Sequence, residues 1–354
     1  MMAKQLMKGN EAIAKAAIVA GCRAYFGYPI TPQNELCEYM AKYMRSSGGV
    51  FVQAESEVAA INMVYGAAAS GALSMTSSSS PGIALKQEGI SYCAGAELPA
   101  LIVSVSRGGP GLGGILPSQG DYNQATRGGG NGDYHVPVFA PASIQEAASL
   151  VRKGLIVAAK YRNPVMVLAD GVIGQMMEPV ELDPNPIDIE AFPWAADGNS
   201  GVRPRNIVNS LHLDVDDLEN HNKHLQAKYR AIEENETMWE EYKLDDAEYM
   251  FVAYGTPSRI TKSAVDELRA EGVKVGLLRP ISLWPFPYEV IHRLSKKMKF
   301  ILVAELSSGQ MLVDVKLAVG YDTPVHFYGR MGGNIFEPLE LVAEFKKHQE
   351  VLGQ

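Results

Sequence analysis

The chain has 354 residues, 47% of them hydrophobic, and a formal net charge of −8 with no Lys/Arg cluster. That length and apolar content suit a full core spread over two domains and exclude a disordered chain; the acidic balance argues against nucleic acid or an anionic membrane and for a small-molecule or protein partner. The start, Met1 to Asn10, has no secretory core and no apolar run reaches the roughly eighteen residues of a bilayer span, so a cytoplasmic protein is expected.

Asn10 reads as the cap of a helix through Ala12, Ile13, Ala16, Ala17 and Val19 that stops at Gly21, and Ala24 to Tyr28 as a short buried strand. A helix after Pro32 carries Leu36, Met40 and Met44 on one face. Strands follow at Val50 to Ala54, Leu73 to Ser77, Ala100 to Val105 and Pro164 to Leu168, with helices at Glu57 to Ser70, Ser80 to about Ala94 and Ile144 to Ala159. Strict alternation predicts an α/β fold with a doubly wound, mostly parallel sheet. From Glu181 to about Asn209 the pattern dissolves into Pro, Asp, Asn and Gly, a linker or surface excursion. A charged helix then starts at Asp216, with Leu218, Leu225, Tyr229, Ile232, Trp239 and Tyr242 as one apolar stripe. Strands at Tyr249 to Gly255, Val273 to Leu278, Phe300 to Glu305 and Val325 to Tyr328, with a helix from Ile260 to Glu271, predict a second, smaller α/β domain. The expected division is residues 1–184, 185–246 and 247–354.

Three polar side chains fall just beyond predicted strand ends, where open α/β sheets bind ligands: Thr31, Glu57 and Arg107. Each has a structural reading beside the functional one. Thr31 before Pro32 is a good N-cap; Ser56 caps a helix whose first-turn Glu57 is ordinary dipole chemistry; Arg107 is a surface arginine on a flexible loop. Together they would bring a hydroxyl, a carboxylate and an anion clamp to one crevice. Gly109, Gly111 and Gly114 fit G-x-G-x-x-G, but Pro110 occupies the turn and Ile115-Leu116-Pro117 stands where a phosphate-binding helix should start, which argues against a dinucleotide site. The segment on to His135 reads as a long lid or substrate loop. Ser77 to Ser80 reads as a polar turn capping the next helix. Cys22, Cys37 and Cys93 are far apart and no His pair has ligand spacing, so no metal is expected on this chain.

At these residues the sequence resembles the α subunits of 2-oxoacid:ferredoxin oxidoreductases. The likeness rests on Tyr28-Pro29-Ile30-Thr31-Pro32, on Ser56-Glu57 with the helix carrying Gly66, on the strand ending at Arg107, and on Arg279 to Pro287 and Glu305 to Gln310. It spans nearly the whole chain except 185–245. The Gly108 to Gly114 loop, Pro117-Ser118-Gln119 and Gly128 to Asp133 look most like the branched-chain (2-oxoisovalerate) subgroup. The resemblance implies a pyrimidine-binding thiamine diphosphate domain over 1–184, a linker with an amphipathic helix over 185–246, and a transketolase C-terminal-like domain over 247–354. It implies oxidative decarboxylation of a 2-oxoacid to acyl-CoA with reduction of ferredoxin.

By the same likeness Glu57 hydrogen-bonds the pyrimidine ring nitrogen of thiamine diphosphate, Pro29 and Ile30 help hold that cofactor, and Thr31 and Arg107 hold the substrate carboxylate. The family's diphosphate and magnesium motif is not found here, since Gly132-Asp133 is followed by Tyr134 within a loop, and the iron–sulfur cysteines are absent. Both Mg²⁺ and the [4Fe-4S] cluster are therefore expected on a β subunit, with room for γ and δ subunits. Three alternatives stand beside this one: a 2-oxoglutarate enzyme, which needs a further cation for the distal carboxylate; a non-catalytic assembly subunit of the same fold; and a transketolase or NAD-linked decarboxylase fragment, which shares the pyrimidine domain but not the Tyr28 to Pro32 signature.

Overall fold

Runs such as Ala100 to Ser106 and Pro164 to Asp170 are buried at every position, the burial pattern of strands covered on both faces. The computed structural model describes residues 4–189, 192–199 and 201–352; Met1 to Ala3 of the expected leaderless start, and Glu190, Ala191 and Ser200 of the expected linker, lie outside them. The first half contains β1 (Gln5–Lys8), α1 (Gly9–Ala20), β2 (Ala24–Gly27), α2 (Asn34–Tyr43), β3 (Val50–Gln53), α3 (Glu57–Ala69), β4 (Ser74–Ser78), α4 (Ser80–Gly95) and β5 (Ala100–Ser106). It continues through α5 (Tyr122–Arg127), β6 (Val138–Phe139), α6 (Ile144–Tyr161), β7 (Pro164–Asp170), α7 (Gly171–Gln175) and β8 (Met177–Val180). The second half contains α8 (Val215–Glu236), β9 (Trp239–Tyr242), β10 (Tyr249–Val252), α9 (Gly255–Ala270), β11 (Val275–Pro280), β12 (Ser282–Trp284) and α10 (Tyr288–Ser295). It closes with β13 (Ile301–Glu305), α11 (Gln310–Val319), β14 (Val325–Gly329) and α12 (Pro338–Leu352).

The elements form a seven-stranded sheet of order β12-β6-β7-β5-β4-β2-β3, a five-stranded sheet of order β14-β13-β10-β11-β9, and a small β1-β8 pair. Successive residues of a strand face opposite sides. On β5, Leu101, Val103 and Val105 pack against Ile13, Leu36, Met40, Leu150 and Leu155 of α1, α2 and α6, while Ile102 meets the layer of Ile61, Val64, Ile83 and Ile90 from α3 and α4. Each such aliphatic side chain contributes about 1.5–3 kcal/mol on burial. The chain winds outward from β2 to β3, then returns past β2 to β4 and β5, so the sheet changes direction between β2 and β4. Open sheets bind ligands beyond the strand ends at such a switch.

The doubly wound α/β architecture agrees with the sequence expectation, and several local readings need correction. Asn10 lies inside α1 and gives its amide to Pro32 O (2.7 Å) and Glu35 (3.0 Å), so it ties two segments together instead of capping. The helix after Pro32 starts at Asn34 with Gln33 as its cap, which removes the capping role of Thr31. Ser77 and Ser78 belong to β4, and Ser79 precedes α4 without a side-chain cap bond. The apolar stripe ends with α8 at Glu236; Leu225, Tyr229 and Ile232 are buried, but Trp239 lies in β9, which pairs antiparallel with β11. Nonlocal pairing also recruits Ser282–Trp284 to the first sheet beside β6, so the Arg279 to Pro287 motif is where the chain crosses from one sheet to the other.

Candidate active site

Ser56 is extended and its hydroxyl accepts from Ala59 N (3.1 Å), which starts α3 and sets Glu57 in its first turn. Glu57 is 6% exposed, yet no donor among the described residues hydrogen-bonds its carboxylate. The space beside it exists because α4 presents glycine. A Cβ on Gly82 would stand 2.7 Å from Glu57 Oε1 and 2.0 Å from Ser78 Oγ, and one on Gly89, two turns on, would stand 2.5 Å from Ile61. α3 and α4 therefore approach closely along a face that runs Gly82, Lys86, Gly89.

Lys86 lies on that face and is fully buried, its Nζ without a hydrogen-bond partner. Burial pulls its ammonium down to about 8, with Glu57 and then Cys37 pulling the other way. On the neighbouring strands Tyr25 OH pairs with Ser77 Oγ (2.7 Å), and Ser77 bonds Gln33 Oε1 (2.6 Å). Gln33 donates to Tyr28 O (3.3 Å), so a buried chain of hydrogen bonds supports the Tyr28 to Pro32 turn from below. On that turn Pro29 is exposed and Ile30 and Thr31 are half-buried, with Thr31-Pro32 in the cis form.

Arg107 is 9% exposed and does not behave as a free surface arginine. One terminal nitrogen donates to Thr31 O (3.0 Å) and the other to Leu112 O (3.0 Å), which joins the turn after β2 to the glycine loop after β5. Its Nε is buried and unpartnered. Ser80, at the start of α4, accepts from Arg107 N (2.9 Å) and bonds Asp121 Oδ2 (2.5 Å). Burial raises the Asp121 carboxyl, against the hydrogen bond from Ser80 and the charge of Arg107. The first turn of α4 thus touches Arg107 through Ser80 and lies beside Glu57 at Gly82, while Arg107 itself bonds the Thr31 carbonyl.

The segment expected as a long lid or substrate loop is pinned at several points. Gln119 donates to Tyr254 O (2.9 Å) and accepts from Leu306 N (2.9 Å), while its own N–H donates to Leu306 O (2.8 Å). Beyond it, Tyr122 (2.5 Å), Tyr288 (2.6 Å) and Arg127 (2.8 Å) all donate to the buried carboxylate of Asp314. The longest exposed stretches are 109–116 and the tip at 129–133, with Gly120, Asn123 and Arg127 exposed singly between them. Between the glycine loop, α4 and the turns around Ser307 and Met331 lies a cleft of about 810 Å³.

An uncommitted, nearly buried carboxylate, the orphaned hydroxyls of Ser78 and Ser79 and the orphaned Arg107 Nε are polar groups waiting for a ligand. They suit a heteroaromatic cofactor ring with a protonatable nitrogen at Glu57 and an anionic substrate near Arg107. Sequence reasoning missed Lys86, Gln33, Ser80, Gly82 and Asp121. Only the Gly82, Lys86, Gly89 spacing of four and three left a signal, one helical face with a single long polar side chain between two glycines.

Residues 15–243 match the family model described as pyruvate flavodoxin/ferredoxin oxidoreductase, thiamine diP-bdg, and residues 247–341 match pyruvate:ferredoxin oxidoreductase core domain II. The chain is 51% identical over 354 residues to the ketoisovalerate oxidoreductase subunit VorB of Methanothermobacter marburgensis, covering 100% of this chain and 99% of that protein. It is 39% identical over 321 residues to the 2-oxoglutarate synthase subunit KorA of Archaeoglobus fulgidus, covering 89% and 91%. Among solved structures it superposes on the 2-oxoglutarate:ferredoxin oxidoreductase from Magnetococcus marinus with a TM-score of 0.87 at 27% identity, covering 97% of this chain and 65% of that one.

Proposed function

This chain belongs to the 2-oxoacid:ferredoxin oxidoreductase family as an α-type subunit, and from that premise we propose that it builds the pyrimidine side of a thiamine diphosphate site acting on branched-chain 2-oxoacids. The observation that carries the substrate reading is the cleft beside Arg107. Its walls include Ala84, Leu85, Pro110, Leu306 and Met331, and among the described residues its one charged lining side chain is Asp121. A branched alkyl group loses nothing there, whereas a second carboxylate would be desolvated without a cation and would face Asp121.

In this reading Glu57 is the catalytic carboxylate, accepting a hydrogen bond from the cofactor's ring nitrogen, with Pro29 and Ile30 against the ring. Arg107 keeps Nε for the substrate carboxylate while its other nitrogens hold the Thr31 turn, and the Thr31 hydroxyl completes the clamp. Holding the acid at two points fixes its 2-oxo carbon, a positioning effect. Thiamine diphosphate, when bound, supplies the electron sink for loss of carbon dioxide. A β subunit would carry Mg²⁺, the diphosphate site and the [4Fe-4S] cluster, with coenzyme A and ferredoxin as the other reactants, γ and δ subunits as further members, and the cytoplasm as the location. Residues 1–184 form the pyrimidine-binding unit, 185–246 the connecting segment and 247–354 the transketolase-like unit in this assignment.

The test is a 2-oxoacid screen of the co-expressed complex with coenzyme A and a viologen dye. Branched 2-oxoacids are expected to exceed 2-oxoglutarate in kcat/KM by about a hundredfold or more. A preference for 2-oxoglutarate overturns the substrate reading, and reduction of NAD without dye or ferredoxin overturns the reaction class.

A further inference from the structure

Lys86 is an ammonium sealed in the α3/α4 interface with no acceptor for any of its three N–H bonds, among the costliest groups a fold can carry. The fold surrounds it with one charge. Glu57 faces it from α3 and the Cys37 thiol from α2; Tyr25 of β2 reaches the same layer through Ser77, and β4 offers only hydroxyls. Burial holds the Cys37 thiol and the Tyr25 phenol in their neutral forms, which leaves the Glu57 carboxylate as the anion that answers Lys86. The two do not form a direct ion pair, and no donor among the described residues bonds the Glu57 carboxylate, so its oxygens are not committed to the ammonium. The close approach of Gly82 to Glu57 and of Gly89 to Ile61 fixes that arrangement.

We propose that Lys86 is a positioning residue for Glu57, a buried ammonium beneath the carboxylate that keeps it ionised and in place when a ligand ring covers it and removes its remaining water. The physical need is specific to the covered state. A carboxylate losing water tends to take up a proton, and a fixed cation a short distance behind it opposes that tendency without occupying the oxygens that must accept from the ligand. The inference rests on the reading of Glu57 as the ring-facing carboxylate.

The experiment compares Lys86→Met, an unbranched neutral side chain one atom shorter, with wild type in the co-expressed complex. Thiamine diphosphate affinity is followed by fluorescence titration from pH 5.5 to 8.5 alongside kcat/KM. The acid limb of both profiles is expected to move up by about one pH unit, so that at pH 6 the cofactor binds about tenfold more weakly. In a Glu57→Gln background the same substitution is expected to move nothing, because the titrating group is gone. An unmoved limb in Lys86→Met, with Glu57→Gln abolishing that limb, overturns the role of Lys86 and leaves the reading of Glu57 standing. Wild-type affinity and an intact limb in Glu57→Gln overturn both. Lys86→Gln gives the same readout if the Met variant does not accumulate.

Discussion

Replacing Glu57 by Gln separates chemistry from architecture at the position on which the assignment turns. The two side chains have the same shape, and no donor among the described residues bonds the Glu57 carboxylate, so the change breaks no hydrogen-bond network. What the fold loses is a first-turn carboxylate at the α3 dipole, about 0.3–1 kcal/mol, and the counter-charge of Lys86. Stability should therefore fall by no more than about 2 kcal/mol, readable by chemical denaturation. Activity should respond differently. A neutral amide cannot share a proton with a ring nitrogen, and the loss of that transfer costs about 10² to 10⁴ in rate, or roughly 3–5 kcal/mol of transition-state stabilisation. The assay is coenzyme A-dependent viologen reduction by the purified complex at saturating substrate and cofactor. A variant that folds normally and turns over within about threefold of wild type would refute the reasoning, and would favour the view that the subunit has only an assembly role.

Gly82→Ala places a methyl 2.0 Å from Ser78 Oγ and 2.7 Å from Glu57 Oε1, so the carboxylate must move. Although Ala is the better helix former by about 1 kcal/mol, kcat should drop about tenfold or more, and an unchanged kcat would show that the carboxylate's position is immaterial. Asp314→Ala strands two tyrosine hydroxyls and an arginine and should cost about 3–5 kcal/mol, with faster proteolytic cleavage within 108–135; an unchanged cleavage rate would mean that the clamp does not restrain the segment. For Lys86 the pH dependence has a definite sign. Its folded value of about 8 lies below the ordinary 10.5, so between those values the unfolded chain holds more protons and wild-type stability rises with pH relative to Lys86→Met. Denaturation of both proteins at pH 7.5 and pH 10 tests this, and a constant gap would contradict the burial of the ammonium.

The parallel sheet and the placing of Thr31, Glu57 and Arg107 at strand ends were readable from the chain because they follow from local periodicity. An apolar run followed by a helical pattern dictates strand, turn and helix, and the residue after the strand lands at the ligand-binding edge. The role of Arg107 was only half readable. That a guanidinium stands there is a sequence property, but its bonds to the carbonyls of Thr31 and Leu112 depend on where two loops meet. Trp239 was misplaced on a helix because its spacing fits a stripe, whereas its pairing partner in β11 lies some forty positions on. Ser282 to Trp284, likewise, joins a sheet whose other strands end more than a hundred residues earlier, and no window of sequence carries that information. Lys86 marks the same divide. Its residue type is visible in any reading, yet a lysine on a helix is by default solvated, and only tertiary packing, with two glycines of the same helix set close against Glu57 and Ile61, leaves it buried. Local periodicity suffices to place a side chain on an element; its protonation and its partners depend on which distant segments exclude water from it.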